Sequence, residues 1–309
     1  MAIEWGYSDL ALERRELYRE GSGREVAGVK VDVQSGQGAE ITRVEILDAQ
    51  GARAMGKPVG TYITLEAPDL ALRDNDIRTQ VGELVAQQLT SLLPRQGCSA
   101  LVVGLGNRQA TPDALGPMTL DKVLVTRHLF ELMPHLTDQL CSVAALTPGV
   151  MGLTGIESVD MVRAVARKIK PEVVILIDAL VSRRANRIST TIQLSDTGLH
   201  PGAGVGNQRK RLDQKTLGCP VIAVGIPTVV YAATITWDAI RGWPEYAGQD
   251  EEQLHQHLQR VVTEALGPLV VTPKEIDQVV SDSAQLLAHG INRALQPHLS
   301  QEEIAAFLL

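Results

Sequence analysis

The feature that most constrains the fold is a run of five apolar, mostly β-branched residues, Val173 to Ile177, which leads directly into Asp178. A short, unbroken run of this kind is typical of a strand buried on both faces of a parallel sheet. Similar runs at Leu101–Leu105 and Val221–Ile226 predict two more buried strands. The chain therefore has the strands of an α/β protein.

Segments with helical periodicity alternate with these strands, and such alternation predicts an α/β fold with a mostly parallel sheet and helices on both faces. We expect residues 10–309 to form a single domain, in which residues 10–39 are an N-terminal appendage to a core at 40–300. The predicted helices are Asp74–Leu93, Leu115–Met133, Glu157–Ile169, Glu251–Leu266 and Pro273–Leu295, and the other predicted strands are Ile41–Leu47, Thr61–Leu65, Ser142–Leu146 and Ile188–Leu194, the last at a sheet edge.

Composition excludes several classes of function. The chain of 309 residues is 44% apolar and carries a net charge of −7, so it has a core but no general attraction for nucleic acid. Its N-terminus lacks the apolar core of a signal peptide, and the apolar stretch Pro220–Ile235 is too short for a membrane span. The three cysteines are far apart, as in a protein of a reducing compartment. We expect a cytoplasmic protein with no membrane partner.

Two aspartates, Asp113 and Asp178, lie just beyond predicted buried strands, where sites of α/β proteins assemble. If the two strands are neighbours, the carboxylates approach each other and share a proton. Such a pair can activate water for attack on a peptide carbonyl. The alternative is that both aspartates only cap the helices that follow them.

Other chemistries have weaker support. Gly104 and Gly106 follow a strand, but Gln109 stands where a dinucleotide-binding motif requires its third glycine, and there is no phosphate-binding loop with lysine. Ser142 and Cys141 have no neighbouring histidine that would make either of them a nucleophile.

Long motifs run from about Val26 to Pro297. They are GLGN…TPDALGP, LVTRHLF, TPGVMGLTGIE, VILIDAL, TTIQLSDTGLHPGAGVGN, PVIAVGIPTVV, VTPKEID and GINRAL. Together they resemble the spore germination protease family. The resemblance implies an atypical aspartic-type endopeptidase with the fold of the hydrogenase-maturation proteases, assembled as a homotetramer. The family's two implicated aspartates fall on Asp113 and Asp178.

The resemblance also implies a substrate and a processing event. The family degrades small acid-soluble spore proteins in the forespore and spore core, cutting after Glu or Asp before a hydrophobic residue and Ala. It is made as a zymogen, and Ser8-Asp9-Leu10-Ala11 matches its cutting pattern. We therefore expect self-cleavage between Asp9 and Leu10, which removes residues 1–9 as a propeptide. Three residues before Asp9, where the family prefers an acid, this sequence has Gly6, which would make self-cleavage slow.

Two basic clusters are candidates for binding the acidic side chain of the substrate, although each is equally typical of a solvated turn. Tyr231 stands where the family pattern has an aspartate, which leaves full activity open. The clusters are Arg183 with Arg184, and Arg209, Lys210 and Arg211.

We expect no cofactor, but a divalent metal is an alternative. The hydrogenase-maturation relatives bind a metal through two acids and a histidine, and His200 would be the third ligand beside Asp113 and Asp178. Asp196 and Glu157 either support such a site or serve as turn and cap residues, and for Glu157 the cap is favoured. The competing hypotheses are a metallopeptidase on these residues and a non-catalytic binder of acidic proteins.

Overall fold

The structure is a computed structural model that describes residues 7–36, 38–133, 140–199, 211–241, 261, 264–265 and 269–308. Its centre is a nine-stranded sheet in the order β1-β2-β3-β7-β8-β6-β4-β5, with β9 paired to β8. The strands are β1 Val29–Gly36, β2 Ala39–Ile46, β3 Gly60–Glu66, β4 Ala100–Gly104, β5 Val143–Leu146, β6 Val173–Ser182, β7 Thr191–Ser195, β8 Val221–Tyr231 and β9 Val270–Val271.

The α/β class is confirmed, with helices on both faces of a mixed sheet. Strands β5, β4, β6 and β8 are parallel to their neighbours, and the strands beyond β8 join antiparallel. The helices are α1 Ala11–Ser22, α2 Ala49–Met55, α3 Asn75–Leu92, α4 Leu115–Leu120, α5 Leu129–Leu132, α6 Met151–Thr154, α7 Ser158–Ile169, α8 Gln214–Leu217, α9 Ala232–Arg241, α10 Ile276–Leu295 and α11 Gln301–Phe307.

The core has two layers, because alternate residues of each central strand enter opposite faces. In β4, Ala100 and Val102 pack with α3, α4 and α10, whereas Leu101 and Val103 pack with α7 and α8.

The predicted cap of helix α3 is present. Asp74 precedes this helix and accepts hydrogen bonds from the amides of Asp76 and Ile77, as expected of a cap residue.

Three predicted elements differ from the structure. The helix predicted for Leu115–Met133 is broken after Leu120, because the amides of Leu124 and Thr126 donate to Asn292 and Val143 instead of to the preceding turn. The predicted edge strand Ile188–Leu194 is the interior strand β7, because β3 covers its other side. Most of the predicted helix Glu251–Leu266 lies outside the described residues.

The predicted strand Val173–Ile177 continues through Ser182, because β8 extends alongside it. Asp178 is therefore inside a strand and not beyond its end. The sequence analysis missed β1, which pairs with β2 along its whole length and places residues of the predicted appendage in the sheet.

Candidate active site

A cavity of about 760 Å³ opens at the carboxyl ends of the parallel strands β4, β6 and β8. This is the edge where sites of α/β proteins form. Its lining includes both predicted catalytic aspartates and residues of the N-terminal segment before α1. The polar and charged residues on its wall include Asp9, Lys57, Asp113, Asp178, Gln193 and Arg211.

Asp178 projects into this cavity from β6. Its Oδ1 accepts a hydrogen bond of 3.0 Å from the amide of Ala179. Burial raises the pKa of Asp178 well above its usual range, and the charges of Asp113 and Asp9 raise it further. The fold therefore favours a protonated carboxyl at this position next to other carboxylates.

Asp113 lies in the short 3-10 turn Thr111–Asp113 that follows β4. The amide of Asn107 donates to its Oδ2 at 2.8 Å and to its backbone oxygen at 3.1 Å. Gly106 permits this close turn with a φ of 105°, and a Cβ there would lie 2.0 Å from the Asp113 carbonyl oxygen. Asp113 is thus held by the loop that precedes it.

The alternative that both aspartates cap helices is wrong. The cap residue of α4 is Ala114, and it has no side-chain capping bond. Asp178 is followed by further residues of β6 and not by a helix. The prediction that neighbouring strands bring the two aspartates together is supported, because β4 pairs with β6 and Asp113 affects the pKa of Asp178.

The N-terminal segment runs along the cavity wall beside β6. The amide of Asp9 donates to the Val181 oxygen at 2.9 Å, and the Val181 amide donates to Asp9 Oδ2 at 2.8 Å. The Tyr7 hydroxyl donates to Asp9 Oδ1 at 2.7 Å. Burial and the Asp9 charge raise the pKa of Tyr7 above its usual range, so that hydroxyl keeps its proton. Asp9, on the upstream side of the predicted cutting site, therefore lines the same cavity as both aspartates.

A buried carboxylate anchors the chain just after this site. Glu13 is fully buried and accepts hydrogen bonds from the amides of Arg183 at 2.6 Å and Arg184 at 3.0 Å. It also accepts from the Ser8 hydroxyl and from the Arg187 guanidinium, which pairs with Glu16 and Glu66 as well. Helix α1 is thereby fastened to the end of β6.

Three cations collect at one side of the cavity: Arg14, Lys57 and Arg211. The pKa of Lys57 is lowered to about 8, chiefly by burial. The charge of Asp9 raises this pKa, and the charges of Arg14 and Arg211 lower it further. The Lys57 ammonium lies 5.9 Å from the centre of the Tyr62 ring. At Gly56, a Cβ would approach the Arg14 guanidinium to 2.7 Å, so the bare glycine leaves room for that side chain. This corner is suited to an acidic group.

The predicted basic clusters are placed differently from each other. Arg211 lines the cavity, whereas Arg183 and Arg184 do not. Arg183 pairs with Glu20 and Asp238, and Arg184 pairs with Glu16 and Glu20. Arg209, Lys210 and His200 lie outside the described residues.

Asp196 and Glu157, the two acids predicted either to support the site or to serve as turn and cap residues, both lie at structural positions. Asp196 is exposed and accepts a hydrogen bond of 2.8 Å from the Thr61 amide, so it ties β7 to β3. Glu157 precedes α7 at the cap position without a side-chain capping bond. Within the described ranges, no group of three or more His, Cys, Asp or Glu is arranged to hold a metal ion.

Tyr231, the position at which the family resemblance predicts an aspartate, is the last residue of β8. Its ring meets Tyr7 edge to face with centroids 6.3 Å apart. Burial and the Asp9 charge raise the pKa of Tyr231. This residue therefore contacts the predicted propeptide. Separately, none of the described helices is long and apolar enough to cross a membrane.

Sequence reasoning missed Gln193, Lys57 and Arg14. Nothing near Lys57 in the sequence indicates that it reaches the cavity. For Gln193 one signal was available: Gly225, on the neighbouring strand, interrupts an apolar run, and such a glycine often marks a close approach.

Comparison with known proteins identifies the family. The family model described as germination protease matches residues 6–250 and 246–308. A germination protease of Caldanaerobacter subterraneus subsp. tengcongensis is 46% identical, with 97% of each chain covered. Those of Clostridium tetani and Priestia megaterium are 41% and 39% identical over 97% of this chain, and over 98% and 96% of their own. The resemblance in the motifs is thus confirmed: the chain belongs to the germination protease family and is a protease.

Proposed function

We propose that this protease is an aspartic-type endopeptidase in which Asp113 and Asp178 share one proton. The observation that carries the proposal is the raised pKa of Asp178 in the cavity that Asp113 also lines. One carboxylate of such a pair takes a proton from water, and the protonated partner supplies one to the leaving nitrogen. No cofactor is part of this proposal.

The proposed substrates are small acid-soluble spore proteins, cut after Glu or Asp before a hydrophobic residue and Ala. The cationic corner of Lys57, Arg14 and Arg211 supports an acidic side chain next to the cut bond. Arg211 already pairs with Asp213 at 3.5 Å, whereas no ion pair joins Lys57 to a carboxylate of the described residues, so the Lys57 ammonium can receive one from a substrate. For this chain, Lys57 is thus a stronger candidate than Arg183 or Arg184.

We also propose that the chain is a zymogen, processed between Asp9 and Leu10. Support comes from the position of Asp9 in the cavity, where its charge affects both Asp178 and Lys57. The segment thus occupies the place that a substrate would take. From the family resemblance, we further propose that the protein is a homotetramer in the cytoplasm of the forespore and spore core. It would have no nucleic-acid or membrane partner.

The test uses the full chain, incubated at mildly acidic pH, and a synthetic peptide with the sequence of residues 2–15. A second peptide carries Asn in place of Asp9. We expect the first peptide to be cut between Asp and Leu, and the second at least about 10-fold more slowly, because a hydrogen bond to a charged group contributes about 1.5–3 kcal/mol. Lys57→Met should narrow that difference, whereas Lys215→Met, an exposed lysine outside the cavity, should not.

The same assay tests the aspartate pair. Asp113→Asn and Asp178→Asn should each lower turnover by at least about 10³-fold, because Asn cannot transfer the proton. Near-normal turnover in either variant removes that aspartate from the mechanism. Loss of wild-type activity with a chelator would favour the metallopeptidase with His200. Binding of the peptide by a folded protein that never cuts it would leave the non-catalytic binder.

A further inference from the structure

The side chain of Gln193 brackets the peptide bond between Asp9 and Leu10. Its Nε2 donates a hydrogen bond of 2.9 Å to the carbonyl oxygen of Asp9. Its Oε1 accepts a hydrogen bond of 2.6 Å from the amide of Ala11. One carboxamide therefore contacts the carbonyl before the bond and the second amide after it.

The sheet fixes Gln193 opposite Asp178. Both residues are paired with Gly225 of β8, Gln193 from β7 and Asp178 from β6. Directly paired residues project to the same face of a sheet, and neighbouring strands lie about 4.8 Å apart. The carboxylate and the carboxamide therefore flank a strip of sheet on which the glycine carries no side chain.

Gly225 has no room for a side chain between Gln193 and Asp178. A Cβ at this position would lie 2.6 Å from the Asp178 carbonyl oxygen and 2.6 Å from Leu180 Cγ. Gln193 itself is 8% exposed, and its two hydrogen bonds use both ends of the amide. The carboxamide is consequently held in one orientation, with its donor toward the carbonyl oxygen.

From this geometry we propose that Gln193 is a catalytic residue, whose Nε2 stabilises the oxyanion that forms on the substrate carbonyl while its Oε1 positions the chain after the cut. The inference rests on the proposed cleavage by Asp113 and Asp178. A preoriented amide donor at about 2.7–3.1 Å from a developing oxyanion is a strong source of transition-state stabilisation. In the uncut chain the carbonyl in question is that of Asp9.

The step balances without any further reactant. The water oxygen bonds to the carbonyl carbon as one proton passes to a carboxylate of the pair, and the carbonyl oxygen becomes the oxyanion held by Gln193. The oxyanion then collapses, the bond to the Leu10 nitrogen breaks, and the protonated carboxyl supplies that nitrogen with its proton. The products are a new carboxyl group on Asp9 and a new amino group on Leu10.

The test compares three variants of the full chain for self-cleavage, followed as a first-order process by intact mass. Gln193→Leu removes donor and acceptor, and Gln193→Glu keeps an acceptor for the Ala11 amide but lacks the donor when ionised. Both should slow cleavage about 10²–10³-fold, the cost of losing one oxyanion donor. Thr191→Val is the matched control on the same strand: it removes a buried hydroxyl that bonds to no described residue, and should change the rate less than about twofold.

Turnover of the peptide of residues 2–15, measured after wild-type protein has removed residues 1–9 from each variant, separates catalysis from binding. Loss of oxyanion stabilisation should lower kcat while KM changes little. A folded Gln193→Leu protein that cuts within about 10-fold of wild type would overturn the proposal, as would a loss confined to KM. Near-normal cleavage by Gln193→Glu would reduce Gln193 to a positioning residue. If Asp178→Asn cuts as fast as wild type, the proposed function fails instead.

Discussion

The residues on the two sides of the Asp9–Leu10 bond are held in different ways. Before the bond, the Asp9 amide donates to the Val181 oxygen, and the Asp9 carboxylate accepts from the Val181 amide and the Tyr7 hydroxyl. After the bond, Leu10 and Ala11 are fully buried, and Glu13 lies in a charge network under α1. The upstream side belongs to the site and the downstream side to the core.

This difference indicates what a cut at this bond would release. The upstream residues would lose their covalent link and keep a few hydrogen bonds to the cavity wall. The downstream residues would stay in place, because their anchors are buried. Two hydrogen bonds cross the bond: the Ser8 hydroxyl donates to Glu13, and it accepts a hydrogen bond of 3.0 Å from the Leu10 amide. The predictions below test whether the two sides are as unequal as these contacts indicate.

The largest effect on folding is expected for Glu13→Ala. It leaves the amides of Arg183 and Arg184 without their acceptor and removes one of the three carboxylates paired with Arg187, and breaking a buried ion pair costs about 3–5 kcal/mol. The matched control is Glu25→Ala, which removes an exposed partner of Arg15 and should cost about 0–1 kcal/mol. Urea unfolding measures both. Equal losses would mean that the downstream side is no better anchored than the surface.

A smaller effect of opposite sign is expected for Asp178→Asn. The pKa of Asp178 is raised in the folded protein, so the protonated form contributes stability that is fully present below the unfolded pKa of about 3.9 and is lost as the pH rises to the folded pKa. Asn cannot ionise, and at neutral pH it should stabilise the fold by about 1 kcal/mol.

The pH dependence provides the check for that substitution. Thermal unfolding should show the gain of Asp178→Asn at pH 7 and its disappearance near pH 3. Asp160→Asn, which removes a partly exposed partner of Arg163, should give no gain at either pH. A loss of stability at neutral pH in Asp178→Asn would contradict the electrostatic account of the cavity.

The smallest effect is expected for Tyr7→Phe, on the upstream side. It removes one hydrogen bond of 2.7 Å to Asp9 and leaves the ring in contact with Tyr231. We expect a loss in unfolding free energy below about 1 kcal/mol, less than is usual for a bond to a charged group, because Asp9 is partly exposed and keeps its hydrogen bond from the Val181 amide. A loss comparable with that of Glu13→Ala would show that the upstream side is also part of the core.

Local patterns predicted much of this arrangement and missed the parts set by tertiary contacts. The sequence predicted that Asp113 and Asp178 approach each other, because buried strands can be recognised as apolar runs and strands of this kind lie side by side. Gln193 and Lys57 were missed because only the antiparallel strands β3 and β7, joined across more than a hundred residues, bring them to the cavity. The break after Leu120 was missed because its cause is Asn292, on a distant helix.

Intact-mass analysis of the purified full chain, incubated at mildly acidic pH with and without a chelator, is the most direct test of the central claim. The account predicts a single new N-terminus at Leu10 in the wild type, with or without the chelator, and none in Asp178→Asn. A cut at another bond, or the same cut in Asp178→Asn, would contradict a self-processing aspartate pair acting on the segment in its own cavity.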